Sequence, residues 1–311
     1  MPTVNDEPAG VFYVRPRYLA GSTWTGDPAL QPFYDQGWSL HYDARGNLHV
    51  NAPDQRVRIS YLPEGDDDTL WKVAAHRAPS APPWWVAEFN DATPTEIVAG
   101  LTTALAEDYR SGTQRFLDGS TNPADGYEPL AAASWNRMDL GLYDRYRIFT
   151  APDDLAYLTL YDRYLRPLTE PADEQERWTF SGGPEGWRSL WYGTFTSRTP
   201  AHLVAATAAA IVDPAPVVRE GWEIPEQCRD LVHLTPFLPP QPPVPTPLDV
   251  RRTAVAQAVE RATRTRHANP RALAALARTT GPLPPNGARP AATPSDQRPS
   301  PAAIPRPGLR P

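Results

Sequence analysis

Arg56, Arg58 and Lys72 fall on alternating, strand-like runs, and a matching pair of runs later in the chain carries Tyr157 and Tyr192. If the apolar alternates (Val57, Ile59, Val73) point to a core, these cations and rings share the opposite sheet face. A basic sheet beside an aromatic one has the chemistry to hold single-stranded nucleic acid, with charge for the backbone and ring faces for the bases. Other chemistry is thin. The six histidines (His41, His49, His76, His202, His233, His267) show neither the i, i+4 pairing of a helical zinc site nor a telling carboxylate spacing. Asp66-Asp67-Asp68 lacks the spacing and closing Glu of a calcium loop and reads as a solvated acidic loop. Gly182-Gly183-Pro184-Glu185-Gly186 reads as a turn, not a phosphate cradle, and no nucleophile elbow occurs. The sequence therefore nominates no catalytic residue, no metal ligand and no cofactor.

A module written twice positions the nominated residues. Arg17-Tyr18-Leu19-Ala20-Gly21-Ser22-Thr23 returns as Arg115-Phe116-Leu117-Asp118-Gly119-Ser120-Thr121, identical at five of seven positions. Trp38 is answered by Trp135, and Ala52-Pro53-Asp54-Gln55 by Ala151-Pro152-Asp153-Asp154. Proline fixes one backbone angle and Asp bonds its own backbone two residues on, so each Ala-Pro-Asp is a turn between strands and each carboxylate has a structural job. The runs after the turns alternate with period two, and Trp71 and Val73 reappear as Trp178 and Phe180. The last strand of each copy, residues 85–89 and 191–195, keeps two aromatics four apart on one face.

Thr93-Pro94 and Thr199-Pro200 then open a helix, with Glu96 completing a capping box in the first copy and His202 standing in that place in the second. Ile97, Val98, Leu101 and Leu105 form a stripe repeated by Leu203, Val204, Thr207 and Ile211. The predicted fold is α+β: two tandem copies of an antiparallel sheet of four or five strands, each closed by a C-terminal helix. The predicted boundaries are a disordered 1–10, modules at 11–110 and 111–218, a wrapping segment at 219–238 and a tail at 239–311. Near the N-terminus Pro16 suggests an edge strand or bulge. The two modules are candidates for a pseudo-dimer within the chain.

The tail is rich in Pro and Arg. Residues 239–311 hold eleven arginines against Asp249, Glu260 and Asp296, leaving the first 238 residues with 19 cations against 33 carboxylates. Tail helices are predicted after Asp249 and after Asn269-Pro270, the first ringed by Arg251, Arg252, Arg261, Arg264 and Arg266 as a set of phosphate contacts for an otherwise acidic protein. The single Cys228, the absence of an apolar signal-like start and an apolar run too short for a bilayer favour a cytoplasmic protein off the membrane.

Pro16 to Gly21, Gly37-Trp38-Ser39, the Ala-Pro-Asp turns, residues 85–89 and Thr93-Pro94, in that order, resemble the actinobacterial SPDY-domain family, a domain of unknown function often present in tandem. The resemblance spans about residues 11–218, implies the duplicated architecture and an association with mobile elements, and brings no activity with it. Ala52 and Ala151 replace the family's Ser, which removes that hydroxyl from any role here. The reading is a non-enzymatic interaction protein binding nucleic acid with help from the tail. The alternatives are a protein-binding adaptor with an acidic body and, third, a hydrolase working between the modules.

Overall fold

Alternation decides the strands, as the burial of Val57 and Ile59 around an exposed Arg58 illustrates. The computed structural model describes residues 9–23, 25–65, 67–140, 146–161, 165, 170, 177–184, 189–238, 251–252 and 254–261. Met1–Pro239 is one unit and Pro240–Pro311 another. The first pass of the repeat gives β1 (Val11–Arg15), a 3-10 turn (Arg17–Leu19), α1 (Asp27–Tyr34), β2 (Ser39–Tyr42), β3 (Leu48–Asn51), β4 (Val57–Tyr61), β5 (Thr69–His76), β6 (Pro83–Asn90) and α2 (Thr95–Arg110). The second gives α3 (Arg115–Asp118), α4 (Pro123–Ala132), β7 (Asn136–Leu140), β8 (Tyr146–Thr150), β9 (Ala156–Tyr161), β10 (Trp178–Gly182), β11 (Trp191–Phe195) and α5 (Ala201–Val212). A closing segment supplies β12 (Val217–Glu220) and β13 (His233–Pro236).

The two copies share one ten-stranded antiparallel sheet, in the order β2-β3-β4-β5-β6-β11-β10-β9-β8-β7. Each copy contributes five consecutive strands, and the copies meet where β6 pairs with β11, Gly193 opposite Phe89 and Phe195 opposite Ala87. That is how a two-fold homodimer extends a sheet, here within one chain. Gly193 is required at the seam, because a Cβ there would overlap the Phe89 ring. On one face α2 and α5 pack side by side, flanked by α1 and α4. Trp71, Trp85, Trp178 and Trp191 are all fully buried in the single core beneath these helices, together with the predicted stripes of α2 and α5.

The repeated Arg-x-Leu segments are exchanged across the seam. Trp85 of the first copy donates its indole N–H to the carbonyl of Phe116 at 2.6 Å, and Trp191 of the second donates to the carbonyl of Tyr18, also at 2.6 Å. The Tyr18 hydroxyl reaches the second copy's turn, donating to Asp153 at 2.5 Å. Both turns form as predicted: Gln55 and Asp154 take φ of 57° and 61°, and Asp54 and Asp153 accept from the N–H two residues on.

The predicted capping box does not form. The α2 helix starts at Thr95 after Pro94 without a side-chain cap. Thr93 Oγ1 instead lies 2.9 Å from the Tyr192 carbonyl across the seam, and Glu96 is taken by Arg219. Nor is the strand before Pro16 an edge: β1 is the middle of a separate three-stranded sheet, β12-β1-β13, and Pro16 lies beyond its end, where no ladder N–H is needed. This sheet has its own small core of Val14, Ala20, Val217 and Ile224. Cys228 is buried, and burial pushes its thiol up to about 11, so it is inert. Among the described residues no helix is long and apolar enough to cross a membrane. In the second unit, the described residues 251–252 and 254–261 are helical. The proposed start of that helix, the second tail helix, the disordered stretch predicted in the tail and residues 1–8 of the disordered stretch predicted at 1–10 lie outside the described residues.

Candidate functional site

Strand registers place the sheet's outward face residue by residue. One row crosses all ten strands from His41, His49, Ser60, Lys72 and Glu88 in the first copy to Thr194, Thr179, Thr159, Ile148 and Met138 in the second. Lys72 does lie on this face, but its ammonium pairs with Glu88 at 2.5 Å. Arg58 lies there too and donates to the carbonyl of Pro79 at 2.6 Å. Arg56 does not. Its guanidinium turns to Asp54 at 2.7 Å and sits 5.5 Å from the centre of the Phe116 ring, because Asp54, two residues away, and the exchanged segment offer it a partner on the helix side. Burial works against the charge of Asp54, but the bonds from Arg56 outweigh it and hold the carboxyl below its usual range.

The aromatic half keeps its rings and spends its hydroxyls. Tyr157 donates to the Asp154 carbonyl and Tyr192 to Asp68 at 2.8 Å. Burial first, then the neighbouring carboxylates, raise both phenols above their ordinary value. Ring faces are therefore what these tyrosines have left to offer. The centre of this face is also less bare than expected, since Val86 and Thr194 are buried. Just past the end of β11 the buried Glu170 accepts from the Ser197 N–H at 2.7 Å and its hydroxyl at 3.0 Å. In the tail Arg251, Arg252 and Arg261 are exposed helical residues, while Arg264 and Arg266 lie outside the described residues.

A basic cluster forms where the sequence did not direct attention, at the end of the sheet that carries the β5–β6 connection. Arg77 and Arg198 place their guanidinium carbons 3.8 Å and 3.6 Å from the centre of the Trp84 ring. Two planar groups at that distance cannot share one side of an indole, so Trp84 is clasped from both. Arg77 also meets Asp118 at 3.2 Å, an exposed pair worth little in water. Arg198 Nη1 is buried and makes no hydrogen bond, and Arg58 reaches the same connection through Pro79. One signal was legible: in Trp84-Trp85 the fully buried Trp85 forces its neighbour to the other face. Arg198, brought in from the far copy, had none.

Two histidines find carboxylates that sequence spacing hid. His202 Nε2 lies 2.6 Å from the buried Asp108, which joins the end of α2 to the start of α5. His49 stands between Ser60 at 2.9 Å and Asp43 at 3.6 Å, with hydrogen bonds from Asn47 holding Asp43 down at about 2. The His49 to Asp43 gap is too long for a hydrogen bond, and the group lies on an open strand face. Among the described residues no three His, Cys, Asp or Glu side chains gather to hold a metal.

Fold and site together define a tandem-duplicated α+β protein, a single two-layer unit whose copies close on each other through a shared sheet and crossed segments. The family model for the SPDY domain, a domain of unknown function (DUF317), matches residues 51–110 and 150–217, from the end of β3 through α2 and from the end of β8 to the first residue of β12. The chain thus carries two segments that match the SPDY domain, one in each copy of the repeat. No curated protein and no solved structure matches it.

Proposed function

We propose that the chain is a non-enzymatic protein that binds single-stranded nucleic acid, with backbone phosphates on Arg58, Arg77 and Arg198 around Trp84 and the basic tail assisting. The observation that carries this reading is the clasp of two guanidiniums on Trp84. A guanidinium stacked on a ring keeps its edge donors for the oxygens of a phosphate. A single strand suits the sheet's outward face better than a duplex, because the half-buried Tyr157 and Tyr192 lie on it with their hydroxyls engaged and only their rings to offer. The acidic first 238 residues argue for modest affinity and strong dependence on salt.

Titration of the intact protein with a single-stranded oligonucleotide, read by Trp fluorescence, is expected to show saturable binding at low salt that weakens as salt rises. Each phosphate contact contributes about 0.7 to the log–log salt slope, so Arg77→Ala with Arg198→Ala flattens it by about 1.4. An unchanged slope in that variant removes the cluster from the reading. Absence of binding at low salt, by both the whole chain and a fragment ending at Leu238, removes nucleic acid altogether and leaves the adaptor reading, in which the acidic body docks a basic partner.

A further inference from the structure

The three-stranded sheet presents a second surface, made by β1, β12 and β13 and lying almost wholly outside the segments that match the SPDY domain. Its inward residues Val14 and Val217 fill the small core, so Tyr13, Arg15, Val218, His233 and Thr235 alternate onto the outer face. There a groove of about 300 Å³ is lined by Tyr13, Arg15, Pro216, His233 and Thr235. The β1–β13 register sets Tyr13 opposite Thr235 and Arg15 opposite His233.

Arg15 and His233 thus stand directly across a strand pair, where both side chains can donate to one anion held between them. Neither the Arg15 nor the His233 side chain makes a hydrogen bond or ion pair with another described residue. Thr235 adds a hydroxyl beside them, and the exposed Tyr13 supplies an aromatic wall steadied by Phe237, whose ring centre lies 5.2 Å away. Donors for an oxyanion thus meet a ring face for a planar group within one concavity, at the small end of the range for ligand sites.

We propose that this groove binds a mononucleotide, its base against Tyr13 and its phosphate between Arg15 and His233 with Thr235 in reach. The volume suits one nucleotide and is too small for a second. The site is separate from the Trp84 cluster and stands without it.

Calorimetric titration of the full chain with adenosine 5′-monophosphate tests this, with adenosine and inorganic phosphate as separate arms. The expected result is saturable binding of one nucleotide per chain, with adenosine and phosphate each weaker by about 10-fold or more. Arg15→Ala, His233→Ala and Tyr13→Ala should each weaken the nucleotide by about 10-fold, with melting temperature unchanged. Arg77→Ala should leave nucleotide binding as it was. No saturation at millimolar nucleotide overturns the proposal, as does equal binding by Arg15→Ala or loss of binding in Arg77→Ala. Adenosine binding as tightly as the nucleotide overturns the anion site, and phosphate doing so overturns the ring site.

Discussion

Cut between Gly112 and Thr113, the two halves of residues 9–238 are expected to fold only in each other's presence. Separated, the first half would expose β6 as a bare edge and the second β11, each with unpaired backbone and a face of aromatic side chains. The buried indole N–H of Trp85 would lose the Phe116 carbonyl and that of Trp191 the Tyr18 carbonyl, each an unsatisfied donor costing about 1–3 kcal/mol. The polar seam would go as well: Asn90 accepts from the Tyr192 N–H at 3.1 Å, and Thr196 Oγ1 accepts from the Val86 N–H at 3.0 Å. The single core would be split, and against a total stability of about 5–15 kcal/mol those losses are decisive. Mixing the halves should restore a 1:1 complex with the near-ultraviolet circular dichroism of the uncut protein. An isolated half that sediments as a monomer and melts cooperatively would sink the idea.

The crossed segments also explain why a duplication read easily from sequence gave an incomplete fold. Matching of Trp85 with Trp191 and of the Ala-Pro-Asp turns revealed the copies, because periodicity and turn chemistry are local. Which copy each Arg-x-Leu segment lies on is decided by tertiary packing, and nothing near Tyr18 or Phe116 encodes it. The α1 and α4 helices had a local signal that went unused, since Asp27-Pro28 and Asn122-Pro123 both open with proline in the first turn, and the Asn122 side chain caps Ala124. Thr93 and Glu96 show the reverse case, a complete local capping signal overridden by partners from β11 and β12. At the candidate site, alternation put Arg58 and Lys72 on the right face, but it could not foresee that Glu88 would neutralise Lys72 or that Phe116 would draw Arg56 away. The Trp84 cluster needs residues from both copies and becomes visible only once the seam is known.

Arg219→Met is expected to cost about 3–5 kcal/mol, the range for breaking a buried ion pair by removing one partner. The Arg219 side chain is 0% exposed and fully used. It donates to both oxygens of Glu96, at 2.8 and 2.6 Å, twice to the Gly21 carbonyl, at 3.1 and 2.9 Å, and to the carbonyl of Val218. These bonds tie β12 to the first turn of α2 and to the segment that carries Tyr18 under Trp191. Gly21 is held there at φ 76° against Glu223 and Pro225, so the segment has no slack to find another acceptor. Methionine fills much of the volume but leaves the Glu96 carboxylate and the Gly21 carbonyl without donors, and only the positive end of α2 still favours the carboxylate. Lysine would keep the charge and lose the fork, so Arg219→Lys should fall between methionine and the native residue. Adding Glu96→Met to Arg219→Met should recover part of the loss, since it removes the stranded charge. Urea midpoints with an unchanged m-value measure each step. A methionine variant within about 1 kcal/mol of the native protein, or a double variant whose loss equals the sum of the single ones, would show that the pair is a passive contact and not the pin that holds the small sheet to the body.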